Sequence, residues 1–270
     1  MRLDTERLGR ADLHVHSHCS DGRQSPESLV LAAAGRVDVL ALTDHDEVAG
    51  ALRAREFARE RPELGVDVIV GEEVSTLNGH VLALYIDERV PKGLTADRTI
   101  ALIHAQGGLA VAPHPLHPIR YARRGYRPMA EILGDVPFDA VEVVNNTGPL
   151  ACFYDARALI ANDAWRLPVC GGSDAHDARY VGSGLTRFEG RTAAAVRRAL
   201  VAGQTHAHLK WSWTLGRVPG HLALKCGDFL RFTRLLAGTM SRSATSPPGR
   251  AAPARGLGGQ VGAPMEGSPR

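Results

Sequence analysis

The sequence predicts an α/β barrel, on three observations. Short apolar segments alternate with helix-like segments from residue 11 to residue 209. Several of the short segments are apolar on both faces, as buried parallel strands are. Histidine and acidic residues recur at the carboxyl ends of these segments, where barrels build their sites, and this favours a barrel over an open sheet. A chain of 270 residues is long enough for one such domain.

The predicted strands are short and rich in Val, Leu and Ile, which are the residues that strands favour. They cover residues 11–16, 37–43, 66–76, 80–86, 108–112, 140–145, 168–171 and 205–209.

Four helices are predicted between these strands from their boundary residues. In the first, Ser25 is the expected N-cap, Pro26 takes the first helical position and Gly35 ends the helix. In the second, Asp46 is the expected N-cap and the helix runs as far as Arg59. The other two run from Thr95 to Gly107 and over residues 191–202.

The barrel is predicted to occupy residues 1–210. Residues 211–240 are predicted to form an amphipathic helical extension, with Phe229 and Phe232 on its apolar side. Packing on the barrel is favoured for this extension over a membrane-surface helix. Residues 241–270 contain five Pro and six Gly and little to bury, so they predict a disordered tail.

The charge distribution argues against a general nucleic-acid binder. The chain has a net charge of +3, and residues 241–270 account for all of it with four Arg and one Glu. The other 240 residues are neutral, so we expect no stable nucleic-acid complex. No apolar run is long enough for a membrane span, and the first ten residues do not read as a signal peptide. The four cysteines form no Cys-x-x-Cys pair, so reduced thiols and a cytoplasmic location are expected.

Candidate metal ligands begin at the first strand, which reads Asp12-Leu13-His14-Val15-His16. Residues two apart on a strand face the same side, so His14 and His16 can hold one ion together. The following turn, Ser20-Asp21-Gly22, returns a carboxylate towards the strand end. Five further segments carry His or acid at strand boundaries: Thr43-Asp44-His45-Asp46, Gly71-Glu72-Glu73, His80, Pro113-His114-Pro115 and Ser173-Asp174-Ala175-His176.

This series resembles the PHP (polymerase and histidinol phosphatase) family of phosphoesterases. The family pattern of D-L-H-x-H, S-D-G, T-D-H-D, G-x-E, a lone His, His-Pro and S-D-x-H occurs here in order, from Asp12 to His176. The resemblance implies a distorted (β/α)7 barrel with three metal ions at its carboxyl-terminal mouth. The implied ligands are His14, His16, Glu73 and Asp174 for the first ion, Glu73, His80 and His114 for the second, and Asp21, His45 and His176 for the third. Glu72 competes with Glu73 for the bridging position, and the G-x-E spacing favours Glu73.

The ligand types predict a hydrolytic metal centre. Mixed imidazole and carboxylate ligands suit two to three ions of Zn²⁺, Mn²⁺ or Fe²⁺, without selecting one of them. Such a centre would attack with metal-bound hydroxide, and the family resemblance implies a metal-dependent phosphatase or phosphodiesterase. The expected substrate is a phosphate mono- or diester, which can be a nucleotide, an oligonucleotide or a small phosphorylated metabolite. Nothing in the sequence indicates the oligomeric state.

Residues near the ligands are candidates for substrate binding. Arg120, Arg123 and Arg124 follow His114 and predict a phosphate clamp, with a solvated loop as the alternative. Asn145, at another strand end, is either a substrate-binding residue or part of a turn.

Two further residues are candidates for catalytic roles. His117 can protonate a leaving group or be a structural loop residue. Asp44, together with Asp12 and Asp46, is expected to orient the metal-binding imidazoles.

Two other functions remain open from the sequence. An amidohydrolase also uses an H-x-H motif in a barrel, but such sites often bridge their metals with a modified lysine. Between Asp12 and His176, the span of the quoted motifs, the only lysine is Lys92, which lies outside any predicted strand end. A non-catalytic, regulatory PHP domain is the second alternative, and the presence of all nine ligands disfavours it.

In relatives acting on nucleotide bisphosphates or RNA 5′ ends, an inserted domain separates the ligands matching His80 and His114. In this chain only 33 residues separate His80 from His114, which is too few for such a domain.

Overall fold

The computed structural model describes residues 8–117, 122–146 and 151–209. Within these residues the chain forms nine strands, six α-helices and two short 3-10 turns. The strands are β1 (Gly9–Asp12), β2 (Val39–Leu42), β3 (Asp67–Thr76), β4 (Gly79–Leu84), β5 (Leu109–Ala112), β6 (Ala140–Asn145), β7 (Val169–Gly172), β8 (Gly184–Phe188) and β9 (His206–Leu209). The helices are α1 (Pro26–Ala33), α2 (Ala49–Glu60), α3 (Ala96–Ala105), α4 (Met129–Ile132), α5 (Ala151–Trp165) and α6 (Ala193–Val201).

All nine strands belong to one sheet, in the order β7-β6-β5-β4-β3-β2-β1-β8-β9. Strands β1, β2 and β3 are parallel neighbours, and so are β5, β6 and β7. Strand β4 is antiparallel to β3 and β5, between these two parallel sets. Strands β8 and β9 extend the sheet beyond β1 in antiparallel fashion. The sheet therefore has two parallel βα halves joined through one reversed strand.

The sheet curves so that β7, at one end of the strand order, lies beside β8 and beside the segment after β1. Beyond β1 and β7, Val15 and Ala175 form a parallel bridge, in which the His16 amide donates to the Ala175 carbonyl at 3.0 Å. Within the strands themselves, the Thr186 hydroxyl of β8 donates to the Gly171 carbonyl of β7 at 2.8 Å. The result is a nearly closed barrel. Its closure brings the segment after β1 beside the segment after β7.

Apolar side chains fill both faces of the sheet. Leu40 and Leu42 of β2 belong to the cluster that includes the buried faces of α1, α2 and α3. The alternate residues Val39 and Ala41 belong to a second cluster, which includes Leu200 of α6. This alternation is the reason that the strand sequences are apolar on both faces.

The predicted fold class is confirmed, with a different strand count. Each of the eight predicted strands overlaps an observed one, and the four predicted helices correspond to α1, α2, α3 and α6. Strand β8 was not predicted, because it is a five-residue segment between glycines. Helix α5 was also not predicted, because its sequence has no apolar stripe. In the structure, its apolar residues Leu159 and Ile160 are exposed.

Asp46 does not cap α2, contrary to the sequence prediction. The N-cap residue is Val48, which makes no side-chain capping hydrogen bond. Asp46 instead has a positive φ of 54°, and its carboxylate accepts a 2.8 Å hydrogen bond from the Ser75 amide. The acid therefore ties the segment after β2 to β3.

Several sequence predictions lie outside the described residues. These are the helical extension at 211–240 and the tail at 241–270. Within the described residues, no helix has the length and apolar character that crossing a membrane requires.

Candidate metal centre

Backbone geometry at the mouth of the barrel presents the candidate ligands to one space. His14 and His16 follow β1, and their ring centroids lie 5.0 Å apart, as expected for alternate residues of an extended segment. Both side chains are fully buried. His176 stacks on His16 from the segment after β7, with ring centroids 4.4 Å apart. Closure of the barrel therefore assembles these three imidazoles.

Glu73 lies at the centre of the cluster. Its Oε1 atom is 2.8 Å from His80 Nδ1 and 3.0 Å from His114 Nε2. Its Oε2 atom lies close to three further imidazole nitrogens: 3.1 Å from His14 Nε2, 3.2 Å from His16 Nε2 and 3.4 Å from His45 Nδ1. One buried carboxylate therefore contacts five imidazoles.

Two aspartates complete the arrangement. Asp174 Oδ1 lies 3.1 Å from His16 Nε2 and 3.5 Å from His14 Nε2. Asp21 Oδ2 lies 3.1 Å from His176 Nε2 and 3.7 Å from His45 Nε2, at the more exposed side of the cluster. All nine predicted metal ligands are thus within this one cluster.

The donor atoms fall into four overlapping groups, and within each group they lie within 4.8 Å of one another. The groups are His16, Asp21, His45 and His176; His14, His16 and Glu73; His14, His114 and Asp174; and His45, Glu73 and His80. The first group contains the three ligands predicted for the third ion. The division of the remaining ligands between two ions stays a prediction.

The carboxylates and imidazoles of the cluster shift one another's pKa values. Burial alone would raise the pKa of Glu73, but the surrounding imidazoles, His14 foremost, hold it well below its ordinary value. The pKa of Asp174 is likewise held low by His14 and His16 against the effect of burial. Burial would lower the pKa of His14, yet Asp174 and Glu73 raise it well above its usual range. The carboxylates are therefore ionised and attract positive charge to the centre.

His16 provides a test of whether the cluster fits metal ions. Neither ring nitrogen of His16 makes a hydrogen bond in the described part of the chain, although the side chain is fully buried. Its Nε2 atom lies near Glu73 and Asp174 without the angles of a hydrogen bond. A buried polar group without a hydrogen bond is costly, whereas imidazole nitrogens facing carboxylates are a common ligand set for transition metals. The residues present fit divalent ions.

Two of the ligands have unusual backbone conformations. His114 and Asp174 have positive φ angles of 29° and 52°, which non-glycine residues seldom adopt. Pro113 and Pro115 flank His114 and restrict the backbone around it. Such conformations are found where the surrounding structure fixes a functional side chain.

Glu142 supports the ligands and was missed by the sequence analysis. This buried residue of β6 lies with Oε1 3.3 Å from His14 Nδ1, and its Oε2 accepts hydrogen bonds from the His114 amide and the Asn145 side chain at 3.0 and 2.8 Å. A carboxylate that contacts the second nitrogen of a ligating histidine fixes the ring orientation. The available signal was a single acid inside an otherwise apolar strand, Ala140-Val141-Glu142-Val143-Val144.

The acids Asp44 and Asp12, which were expected to orient the imidazoles, accept hydrogen bonds from backbone amides and serine hydroxyls. Asp44 accepts hydrogen bonds from the Ser17 amide, the Ser17 hydroxyl and the Ser20 hydroxyl, each at 2.7 Å. It thereby holds the turn that carries Asp21. Asp12 accepts from the Ser173 and Gly182 amides at 2.8 and 2.7 Å, which fastens the segment after β7. A catalytic role for Asp44 stays a prediction.

Glu72 points away from the centre. Its Oε2 atom accepts a 2.7 Å hydrogen bond from the Val90 amide, and no contact joins it to the imidazoles. Burial raises the pKa of Glu72 to about 7, in contrast with its neighbour Glu73. Consecutive strand residues face opposite sides, so only one of the two can reach the ligands, and Glu73 is that residue.

The remaining candidate residues lie around the mouth. His117 follows the ligand His114, with ring centroids 6.0 Å apart, and burial lowers its pKa. Arg123 and Arg124 are exposed, and the Arg123 amide donates to the Leu77 carbonyl at 3.0 Å. The Asn145 amide group lies 3.2 Å from Asp174. Arg120 lies outside the described residues.

The fold and the cluster define a barrel protein with a metal-binding centre at its carboxyl-terminal mouth. The family model described as the PHP domain matches residues 12–132, and the model described as PHP-associated matches residues 156–205. The uncharacterised protein MJ1587 of Methanocaldococcus jannaschii is 34% identical over 148 residues, which cover 50% of this chain and 81% of that protein. The chain belongs to the PHP domain family.

Two further similarities have a narrower reach. A 5′-3′ exoribonuclease of Haemophilus influenzae is 44% identical over 86 residues, which cover 30% of each protein. A crystal structure of a two-domain protein from Bacteroides vulgatus, containing a predicted PHP-like metal-dependent phosphoesterase, superimposes with a TM-score of 0.61 at 22% identity. That match covers 77% of this chain and 67% of the other, and it supports the fold.

We predict that Glu73→Gln lowers the affinity for divalent ions by about 100-fold or more, because the substitution removes the central negative charge. The metal content after dialysis, measured by plasma mass spectrometry, checks this. Glu72→Gln is the matched control, since the neighbouring acid lies outside the cluster and its Gln can still accept from Val90. Equal metal loss in both variants would contradict the assignment of Glu73.

We predict that Glu142→Gln lowers metal affinity by about 10- to 100-fold, since an amide has one acceptor oxygen where the carboxylate has two. Titration against a competing chelator measures the affinity. Glu189→Gln, at an exposed acid after β8, should leave it unchanged. A Glu142→Gln protein with the affinity of the wild type would show that Glu142 does not support the ligands.

Proposed function

We propose that this protein hydrolyses phosphate esters at two to three divalent metal ions held by the mouth cluster. The observation that carries the proposal is the convergence of six imidazoles and three carboxylates on one space. Membership of the PHP domain family supports the same function. Zn²⁺, Mn²⁺ and Fe²⁺ all suit this ligand set.

The residues of the chain have distinct parts in this function. Glu73, Asp174 and Asp21 supply the negative charge that attracts cations, and the histidines supply imidazole nitrogens as ligand atoms. When bound, the ions lower the pKa of a coordinated water and offset the charge of the phosphate. Glu142 and the Asp44 contacts hold the ligand-bearing segments in place. No separate nucleophilic side chain is required.

His117 is a candidate to contact a leaving group, as a hydrogen-bond partner and not as an acid. It lies beside the ligand His114, and burial lowers its pKa, so the ring is neutral near pH 7. A protonated leaving-group acid would need a higher pKa. We therefore assign His117 hydrogen bonding to the leaving group and not proton donation.

We propose a small phosphorylated compound as substrate. The 33 residues between His80 and His114 are too few to form an inserted domain that would bind a polynucleotide. The exposed Arg123 and Arg124 lie on the loop that follows His114, and each can pair with a phosphate oxygen. An amidohydrolase remains the alternative, although Lys92 is directed to Asp46, 3.4 Å away, and not into the cluster.

Chelation followed by separate reloading with Mn²⁺, Zn²⁺ and Fe²⁺ tests the function. We expect p-nitrophenol release from p-nitrophenyl phosphate, or from its bis ester, to disappear on chelation and return with metal. Asp174→Asn should lower this turnover by about 100-fold or more, because it removes a charged ligand. Asp163→Asn, at an exposed acid of α5, is the control. Full activity in Asp174→Asn, or no turnover with any metal, would overturn the proposal.

The role of the arginines is tested separately. We predict that the double variant Arg123→Ala/Arg124→Ala raises KM for a phosphate monoester by about tenfold and changes kcat little, because a charge-assisted contact is lost. Steady-state kinetics measures both constants. Arg59→Ala, in the last turn of α2, should have no effect. An unchanged KM in the double variant would assign these arginines to the solvated loop.

A further inference from the structure

A small cavity adjoins the metal centre and contains no metal ligand other than His114. It has a volume of about 10 Å³ and lies between the loop after β5, the end of β6 and helix α5. We call it the α5 pocket and define it by His117, Asn145, Tyr154 and Asp155, which line it together with His114. A volume of this size accommodates one water-sized group.

Asp155 is the polar residue of the α5 pocket with an unused acceptor. Its Oδ1 atom accepts a 2.9 Å hydrogen bond from the Asn145 amide. Its Oδ2 atom is buried and has no hydrogen-bond partner among the described residues. A buried carboxyl oxygen without a partner is costly and uncommon in a folded protein, so this atom marks a place where a polar ligand group belongs.

The chemistry of the α5 pocket selects the kind of group. Burial raises the pKa of Asp155 to about 8, with a smaller contribution from Glu142, so the carboxyl group is protonated near pH 7. A neutral carboxyl group has no charge with which to attract an ammonium group. It can both donate to and accept from a hydroxyl group. The rings of His117 and Tyr154, with centroids 5.7 Å apart, form part of the pocket wall.

The position of the pocket relates it to the reacting ester. His114 belongs both to the pocket and to the metal-ligand cluster. Asn145 joins the two regions, because its backbone binds Asp155 and its side chain contacts Glu142 and Asp174 at 2.8 and 3.2 Å. A hydroxyl group bound at Asp155 and a phosphate bound at the metal centre can therefore belong to the same small molecule.

We propose that Asp155 is a specificity-determining residue, whose carboxyl group binds a hydroxyl group on the organic part of the phosphate ester. The preferred substrates are then esters of polyols or sugars, in which a hydroxyl lies on a carbon near the esterified one. This inference rests on the proposed phosphoesterase function and adds the substrate class to it.

Paired substrates with and without the hydroxyl group test the inference. Glycerol 1-phosphate and n-propyl phosphate have the same carbon chain, and phosphate release from each gives kcat/KM for the metal-loaded protein. We expect the wild type to prefer glycerol 1-phosphate by about tenfold or more, the worth of one hydrogen bond to a buried partner. Asp155→Asn and Asp155→Ala should each reduce this preference, and Asp163→Asn should retain it.

The outcomes separate the inference from the function on which it rests. A loss of activity towards both substrates in equal proportion would assign Asp155 a structural part in holding Asn145, and would overturn the specificity role. The same conclusion follows if the wild type hydrolyses both esters equally, since the pocket then holds only water. Absence of hydrolysis for every phosphate ester, including p-nitrophenyl phosphate, would instead overturn the phosphoesterase function and the inference together.

Discussion

The buried carboxylate of Glu73 is the interaction on which the rest of the centre depends. Its two oxygens contact five imidazoles from four segments of the chain, which follow β1, β2 and β5 or lie on the β4 strand. A single charge can serve so many partners only where it is shielded from water, because solvent would weaken each contact. The strand pair β3–β4 meets this requirement, since it places Glu73 inside the barrel and Glu72 outside it. The same alternation that builds the core thus selects which of two adjacent acids becomes functional.

The clustering of the candidate ligands was predictable because most of them are part of a local pattern. The spacing of His14 and His16, or of Asp174 and His176, can be recognised without knowing the fold. The order of the motifs along the chain then indicates the family and, with it, the other candidate ligands. The fold class was predictable for a similar reason, since buried parallel strands are apolar throughout. Distances between segments were not predictable, so the sequence could not say which histidines share an oxygen of Glu73.

The features that were missed depend on tertiary contacts. Glu142 is one acid in an apolar strand, and its importance appears only when His14 and His114 are brought to its side. Helix α5 has no amphipathic pattern, yet it supplies Asp155 to a pocket beside the ligands. Asp44 and Asp46 lie in a motif typical of ligand-orienting acids, but Asp44 accepts from Ser17 and Ser20, and Asp46 accepts from the Ser75 amide and from Lys92. In each case the composition of the segment is compatible with several contacts, and packing selects one.

The closure of the barrel at Val15 and Ala175 has a consequence for the lifetime of the protein. His14 and His16 stand on one side of this seam and Asp174 and His176 on the other, about 160 residues apart along the chain. An ion held by residues on both sides of the seam would bind the folded chain and not the unfolded one, in which these residues are far apart, so its binding would stabilise the folded state. Supply of metal then governs how long each molecule survives proteolysis as well as how fast it turns over.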